Sequence, residues 1–395
     1  MLKKSMENTE FDGVICFGGV DWWYHNRGHY DLQMMREFSQ KYPVLYVNSI
    51  GMRPPKIGEG AMFVTRIKRK LKSLFRGLVK VRNNFSVFSP VTLPGGGNGP
   101  FSAWVAKTAL VMQVKIAAWR CGIRRPLVWV ACPPGLVAVP HLKSQAVIYQ
   151  RTDRFEDFAG VNSKRIKEFD TELKKIADIV LFCSRELYQA EKQQNSGSLF
   201  VDHGVDFSHF EKAGIAYEKN GKEPPDLSGI PHPRVGFIGG IDAHTFDPEL
   251  FVNVVSGLPD VSFVMIGACS LPDNWCPYEN VYLLGQRPYE EVASYMAACD
   301  VLIMPWNQSD WIKACNPVKM KEYLAVGKPI VSTYFPEVDF FREHIHVASN
   351  ANEFQDMIKS CLANSEEPLE KRAFVQDHTW SAKADVVLGA LKNSG

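Results

Sequence analysis

Short apolar runs recur along this chain, separated by longer stretches in which apolar residues return every three or four positions. VICFGG, PVLYVN, FSVFSP, PLVWVA, AVIYQ, VLFCS and SLFVD in the first half have the length and β-branched content of buried strands. RVGFIGG, VSFVMIG, VYLLG, VLIMPW and PIVST do so in the second half. Such alternation predicts parallel sheets with crossover helices, hence an α/β chain of two doubly wound, Rossmann-like domains. In open sheets of this kind a ligand sits beyond the carboxyl ends of the strands, so two facing domains predict an interdomain cleft. Pro, Gly and polar residues cluster at 213–233, the predicted linker between a first domain over 1–212 and a second over 234–377. A helix from residue 378 to 395 closes the chain.

At 395 residues the chain is too long for one ordinary core, which agrees with two domains. Its net charge of +2 conceals an asymmetry. Residues 1–212 hold 31 Lys+Arg against 19 Asp+Glu, or +12, and residues 213–395 hold 14 against 24, or −10. Opposite signs predict modules with different partners. The nine cysteines are scattered and form no CxxC pair, which predicts reduced thiols and a cytoplasmic setting rather than a disulfide framework or a zinc site. The polar N-terminus MLKKSMENTEFDG has no apolar core of a signal peptide. The most apolar long segment, residues 103–119, contains Lys107, Gln113 and Lys115 and reads as an amphipathic helix rather than a membrane span.

One stretch, NPVKMKEYLAVGKPIVST at 316–333, concentrates the chemistry. Asn316 suits the N-cap and Pro317 the first helical position, Gly327 suits a left-handed stop, and Pro329 forbids continuation before a strand at 330–332. Met320, Tyr323 and Leu324 form the buried stripe, and Lys319 and Glu322 share a flanking face. Lys319 stands in the first turn, where free N–H groups and the helix dipole favour an anion, and Glu322 one turn deeper suits paired ribose hydroxyls. The same spacing also fits an ordinary Lys-Glu pair on a solvated face. In RVGFIGGIDAH, Gly239 and Gly240 either admit backbone N–H groups close to a phosphate or make a tight strand-to-helix turn.

Pro317, Lys319, Glu322, Ala325, Gly327, Pro329 and Ile330 fit P-x-K-x-x-E-x-x-A-x-G-x-P-[IV], which resembles the nucleotide-binding signature of retaining family 4 glycosyltransferases of the GT-B fold. VYLLGQRPYEEVASYMAACDVLIMPW, HGVDFSHF with His203 in place of an asparagine, and HTWSAKADVVLGAL extend the resemblance over residues 145–390. FGGVDWWYHNRGHYDLQMMREFSQKYPVLYVNSIGMR brings the chain nearest to the teichuronic acid biosynthesis branch. The resemblance implies that Glu322 holds the donor ribose and Lys319 the diphosphate, with Asn316 and Pro317 at the helix start. It also implies that Gly239 and Gly240 border the phosphates and that Gln286 and Arg287 flank the base. Two departures stand out. Position 314 is Ala314 where many relatives have a second glutamate, and Ile241-Asp242-Ala243 supplies none of the usual basic pair, leaving Lys319 and Arg287 to neutralise the leaving group.

The first domain is expected to bind the acceptor. Trp22, Trp23, His25, Arg27 and His29 crowd one strand's carboxyl end, either as sugar-stacking faces and phosphate ligands or as a buried structural loop. In YQRTDRFEDF, Asp153 is a candidate catalytic or acceptor-orienting carboxylate, kept ionised by Arg151 and Arg154, with Arg151 also a candidate acceptor ligand. Helix N-terminal acids are the alternative reading. RIKRKLKSLFRGLVKVR at 66–82 has eight Lys or Arg, no acid, and Ile67, Leu71, Leu74, Phe75 and Leu78 at helical spacing. Such a helix either lies on an anionic membrane, each basic residue adding roughly 1 kcal/mol, or packs its apolar stripe on the domain. No nucleic-acid fold signature accompanies the charge.

Together these features predict a cytoplasmic transferase, peripheral on the inner face of the plasma membrane. It would move a hexose-type sugar from a nucleotide-diphosphate donor, UDP-sugar favoured, to a glycan or lipid-linked acceptor in cell-surface polysaccharide biosynthesis. The resemblance implies retention and no cofactor or obligatory metal. The alternatives are a non-catalytic sugar-nucleotide-binding subunit and an epimerase of the same fold.

Overall fold

The computed structural model describes residues 11–24, 28–51, 68, 72–91, 99–158, 160–313, 315–364 and 367–393. His25, Arg27, Ala314 and much of the basic segment, including Ile67 and Leu71, lie outside the described residues. The chain divides into two units, Met1–Asp202 with Lys383–Gly395, and His203–Ala382. The division falls earlier than the expected boundary at 212, because a helix at Phe207–Asn220 runs through that position and occupies the start of the expected linker. Gly221, at φ 57°, ends it in the left-handed conformation that glycine adopts without strain.

The first unit is built on an eight-stranded sheet. Its strands are β1 (Gly13–Phe17), β2 (Val44–Val47), β3 (Leu78–Arg82), β4 (Phe85–Phe88), β5 (Pro126–Val130), β6 (Ala146–Arg151), β7 (Ile179–Phe182) and β8 (Ser198–Phe200). The order is β3-β4-β2-β1-β5-β6-β7-β8, and all neighbours are parallel except β3 with β4. β1, β2, β5, β6 and β7 are buried along their whole length, which is why they read as unbroken apolar runs rather than alternating ones. β3 corrects an expectation. Residues 78–82 are not the end of a basic helix but an edge strand pairing antiparallel with β4. Gly77, at φ 58°, stops the short helical turn at 72–76, and Asn84, at φ 54°, closes the hairpin. The β-branched Val79 and Val81 then suit a strand.

The second unit has six parallel strands, β9 (Arg234–Ile238), β10 (Ser262–Ile266), β11 (Val281–Gly285), β12 (Val301–Met304), β13 (Ile330–Thr333) and β14 (His346–Ala348), in the order β11-β10-β9-β12-β13-β14. β14 has only three residues, too few to leave a pattern in the sequence. The order reverses between β9 and β12, and a crevice opens at such a switch point beyond the strands' carboxyl ends. Val235 faces Val301 and Gly236 faces Leu302 across it. The core on one side of this sheet contains Ile238, Val264, Leu302, Met304 and Ile330 together with Met320, Tyr323 and Leu324. That packing brings the signature helix against the end of β9.

Candidate functional site

The signature helix spans Val318–Val326. Its N-cap is Pro317, at φ −81° and ψ 114°, rather than the expected Asn316. Proline removes its own N–H, and no side chain caps the remaining N–H groups of the first turn. Gly327, at φ 91°, supplies the expected left-handed stop, its N–H donating to Tyr323 O at 3.2 Å. Met320 through Val326 are all buried, which replaces the solvated flanking face with an enclosed one. Tyr323 ties the helix to the sheet, its hydroxyl accepting from the N–H of Ile238, the last residue of β9, at 3.0 Å.

That tie sets Lys319 over the glycine turn. A Cβ built on Gly239 would lie 2.7 Å from Lys319 Nζ, and the ammonium stands 6.0 Å from the centroid of the Phe237 ring. The glycine therefore makes room for a cation at the switch point, beside the uncapped N–H groups of the helix's first turn. Burial lowers the Lys319 pKa, and the nearby Glu322 carboxylate partly opposes this. Glu322 is 5% exposed and accepts from Tyr289 Oη at 3.3 Å. Burial pushes its pKa from 4.5 to about 7, against the pull of Lys319. The partly buried Lys319 and the buried Glu322 are thus two ionisable groups at one strand end, the condition of a site prepared for a charged ligand.

Around this pair the structure brings residues with no periodic signal. His209 stacks on Tyr289 with centroids 6.1 Å apart, and its Nε2 is buried with no hydrogen-bond partner among the described residues. Lys321 is fully buried and donates to the carbonyl of His203. His203 Nδ1 pairs with Asn316 Oδ1 at 3.0 Å, so Asn316 fixes the His203 loop instead of capping the helix. Beyond Gly240, whose Cβ would lie 2.7 Å from Asp242 Oδ2, Asp242 accepts from the N–H groups of His244 and Thr245 at 3.0 and 3.1 Å. An acid in an Asx-type turn occupies the region where the sequence lacks a basic pair.

Arg287 is engaged within the protein. The guanidinium of Arg287 donates to Asp226 at 2.6 Å and to Tyr295 Oη at 2.8 Å, and these bonds hold the Arg287 pKa up and that of Asp226 down. It is committed to these partners rather than left for a leaving group. Gln286 is exposed.

In the first unit, the expected acceptor residues separate. Trp22 is 8% exposed, packs on Phe85 at 4.9 Å and donates its backbone N–H to Asn48 Oδ1, so it belongs to the core and not to a ligand surface. Trp23 is partly buried, its ring under the Arg76 guanidinium at 4.2 Å and its Nε1 without a hydrogen-bond partner among the described residues. His29 is exposed at the N-cap of the helix Tyr30–Phe38.

Arg151 is likewise corrected. It is wholly buried and donates to Glu156 at 2.8 and 2.9 Å and to Glu191 at 3.2 and 3.1 Å, with Asp170 at 3.3 Å, so no valence faces an acceptor. Its only link to Asp153 is to that residue's backbone carbonyl, at 2.8 Å. Arg154 pairs with Glu186 at 2.5 Å. Arg151 and Arg154 are thus engaged by other carboxylates. Burial raises the Asp153 pKa from 3.8 to about 6, against weaker opposition from Thr152 and Arg151.

Residues 232–364 match the family described as glycosyl transferases group 1, a span holding the glycine turn, Lys319 and Glu322. Over that span the second unit resembles group 1 glycosyltransferases. TuaH of Bacillus subtilis (strain 168), named for teichuronic acid biosynthesis as a glycosyltransferase, is 28% identical over 221 residues. That match covers 51% of this chain and 54% of the relative, so the chain spans about half the length of the curated relative it matches. The sucrose-phosphate synthase of Thermosynechococcus elongatus superposes with a TM-score of 0.67 at 14% identity, covering 96% of this chain and 98% of that one. Anabaena HepE in complex with UDP and glucose gives 0.61 at 15% identity, covering 97% and 98%. At such identities the likeness establishes the fold, which is GT-B. No helix among the described residues is long and apolar enough to cross a membrane.

Proposed function

We propose that this chain is a retaining glycosyltransferase that takes a sugar from a nucleoside-diphosphate donor, UDP-sugar above others, and delivers it to a glycan or lipid-linked acceptor of the cell surface. The observation that carries the reading is the Lys319 ammonium standing over Gly239 at the switch point, with the buried Glu322 one helical turn away. The diphosphate would meet Lys319, the glycine-turn backbone and the helix N-terminus, which together stabilise the charge that grows as the glycosidic bond breaks. Ionised Glu322 would accept from the two ribose hydroxyls, the bound ligand returning the hydrogen bonds its burial withholds. HepE, whose solved complexes contain UDP and glucose, supports the choice of base and sugar class.

On this reading no obligatory metal enters, because Lys319 and helix N–H groups supply the positive charge. The first unit supplies the acceptor side, with Asp153, Trp23 and His29 as its candidates and the basic segment 66–82 holding the enzyme at an anionic membrane on the cytoplasmic side. Purified protein given UDP-sugars should hydrolyse them slowly. Lys319→Ala should abolish that hydrolysis, and Glu322→Ala should mainly weaken nucleotide binding. Two observations favour a second reading, a sugar-nucleotide-binding subunit without turnover: Asp242 stands where the basic pair is absent, and Arg287 is held by Asp226. Nucleotide binding with no turnover across a panel of donors and acceptors would select it.

A further inference from the structure

The helix Pro100–Arg120 is apolar on two opposite faces. Leu110, Val111, Val114, Ala117 and Ala118 pack in a core with Ile15 of β1, Leu45 of β2 and Val128 of β5. The other face carries Phe101, Trp104, Met112, Ile116 and Trp119, at 76%, 57%, 54%, 54% and 59% exposure. Their steps of three, eight, four and three residues place them in one stripe along the helix. A helix apolar all round is ordinarily a buried one, and an exposed apolar stripe of several hundred Å² marks an interaction surface. Within the stripe Phe101 stacks on Trp104 at 6.1 Å, and beside it Gln113 bonds both the N–H and the carbonyl of Val91, at 2.9 and 3.0 Å.

Charge selects the occupant. Between residues 60 and 152 the chain has fifteen Lys or Arg and no Asp or Glu. Lys107, Lys115 and Arg120 lie on the helix itself, and the guanidinium of Arg124 sits 5.7 Å from the Trp119 ring. A second copy docking through the same face would bring the exposed Lys115, Arg120 and Arg124 of each copy together, which electrostatic complementarity disfavours. An anionic bilayer satisfies both features at once, aromatic rings entering at headgroup level while the basic stems run outward to phosphates.

We propose that the Phe101–Trp104–Met112–Ile116–Trp119 face of this helix is an interfacial membrane anchor for anionic lipid. The proposal deepens the membrane-docked reading of the function and rests on it for its biological sense. It adds to the basic segment an apolar insertion that charge alone does not supply.

The test uses the full chain and sedimentation with phosphatidylcholine vesicles, with and without phosphatidylglycerol. Wild-type protein should pellet with phosphatidylglycerol vesicles and far less with pure phosphatidylcholine. Trp104→Gln with Trp119→Gln should weaken that partitioning about tenfold, while UDP-sugar hydrolysis in solution stays unchanged. Equal pelleting of variant and wild type would overturn the proposal and leave attachment to the basic segment. No pelleting of wild type, or a concentration-dependent dimer abolished by the same substitutions, would also overturn it. Absence of hydrolysis with intact lipid binding would instead count against the transfer reading alone.

Discussion

Replacing Glu322 by Gln separates the needs of folding from those of binding. The Glu322 carboxyl titrates at about 7 in the folded protein and at 4.5 without the fold, so folding holds its proton more tightly. The associated stability is fully present below pH 4.5 and is lost as pH rises through 7. At roughly 1.4 kcal/mol per pKa unit, an ionised Glu322 costs the apo protein about 3 kcal/mol at pH 8. Glutamine keeps the acceptor for Tyr289 Oη and carries no charge, but it deprives Lys319 of a nearby carboxylate that supports its ionised form. A net stabilisation of about 2 kcal/mol at pH 8 is expected, or about 5 °C in the transition of the second unit. At pH 5, where the native carboxyl is protonated and the unfolded one is only partly ionised, the gain should shrink to less than about 1 kcal/mol. Calorimetry of both proteins at the two pH values measures this. UDP affinity should move the opposite way, falling about tenfold, because hydrogen bonds to a charged acceptor exceed those to a neutral one. A variant equally destabilised at both pH values would refute the reasoning, since Glu322 would then be an ordinary structural residue.

Gly239→Ala places a methyl 2.7 Å from Lys319 Nζ and 2.9 Å from Phe237 Cζ; the lysine end should swing aside, lowering UDP affinity about tenfold with little change in melting temperature. Arg151→Met strands Glu156, Glu191 and Asp170 without their shared cation and should cost about 3–5 kcal/mol, read as a fall in the denaturant midpoint or in soluble yield. If the Asp153 carboxylate takes part in transfer, turnover should rise with pH through about 6, the value to which burial pushes its pKa. Asp153→Asn should then lower kcat about a hundredfold and erase that limb, whereas an unchanged profile assigns Asp153 a structural part.

Both sheets were readable because parallel strands are buried on two faces and leave continuous apolar runs. The signature helix was readable through Gly327 and its buried stripe. What the one-dimensional pattern concealed depends on partners distant in sequence. Asn316 looks like a cap until His203 takes its carbonyl oxygen, and Arg151 looks available until Asp170 and Glu191 converge on it. Lys321 has the composition of a surface residue, and only the fold brings it to the His203 carbonyl. The strand at 78–82 was hidden by apolar residues up to Leu78 at helical spacing, although Gly77 and the Asn83-Asn84 pair carried the turn signal. Lys319 and Glu322 were legible as a pair because they lie within one helix, and Gly239 stood out as a glycine at a strand end; the fold brings Lys319 and Gly239 together.

The central claim is that Lys319 and Glu322 receive a nucleoside diphosphate at the switch point of the second sheet. Calorimetric titration of UDP into wild-type protein, Lys319→Ala and Glu322→Ala tests it most directly. Saturable binding by wild type, and a loss of affinity of about tenfold or more in each variant that still melts cooperatively, is the predicted result. Binding of equal strength in all three proteins, or none in any of them, would contradict it.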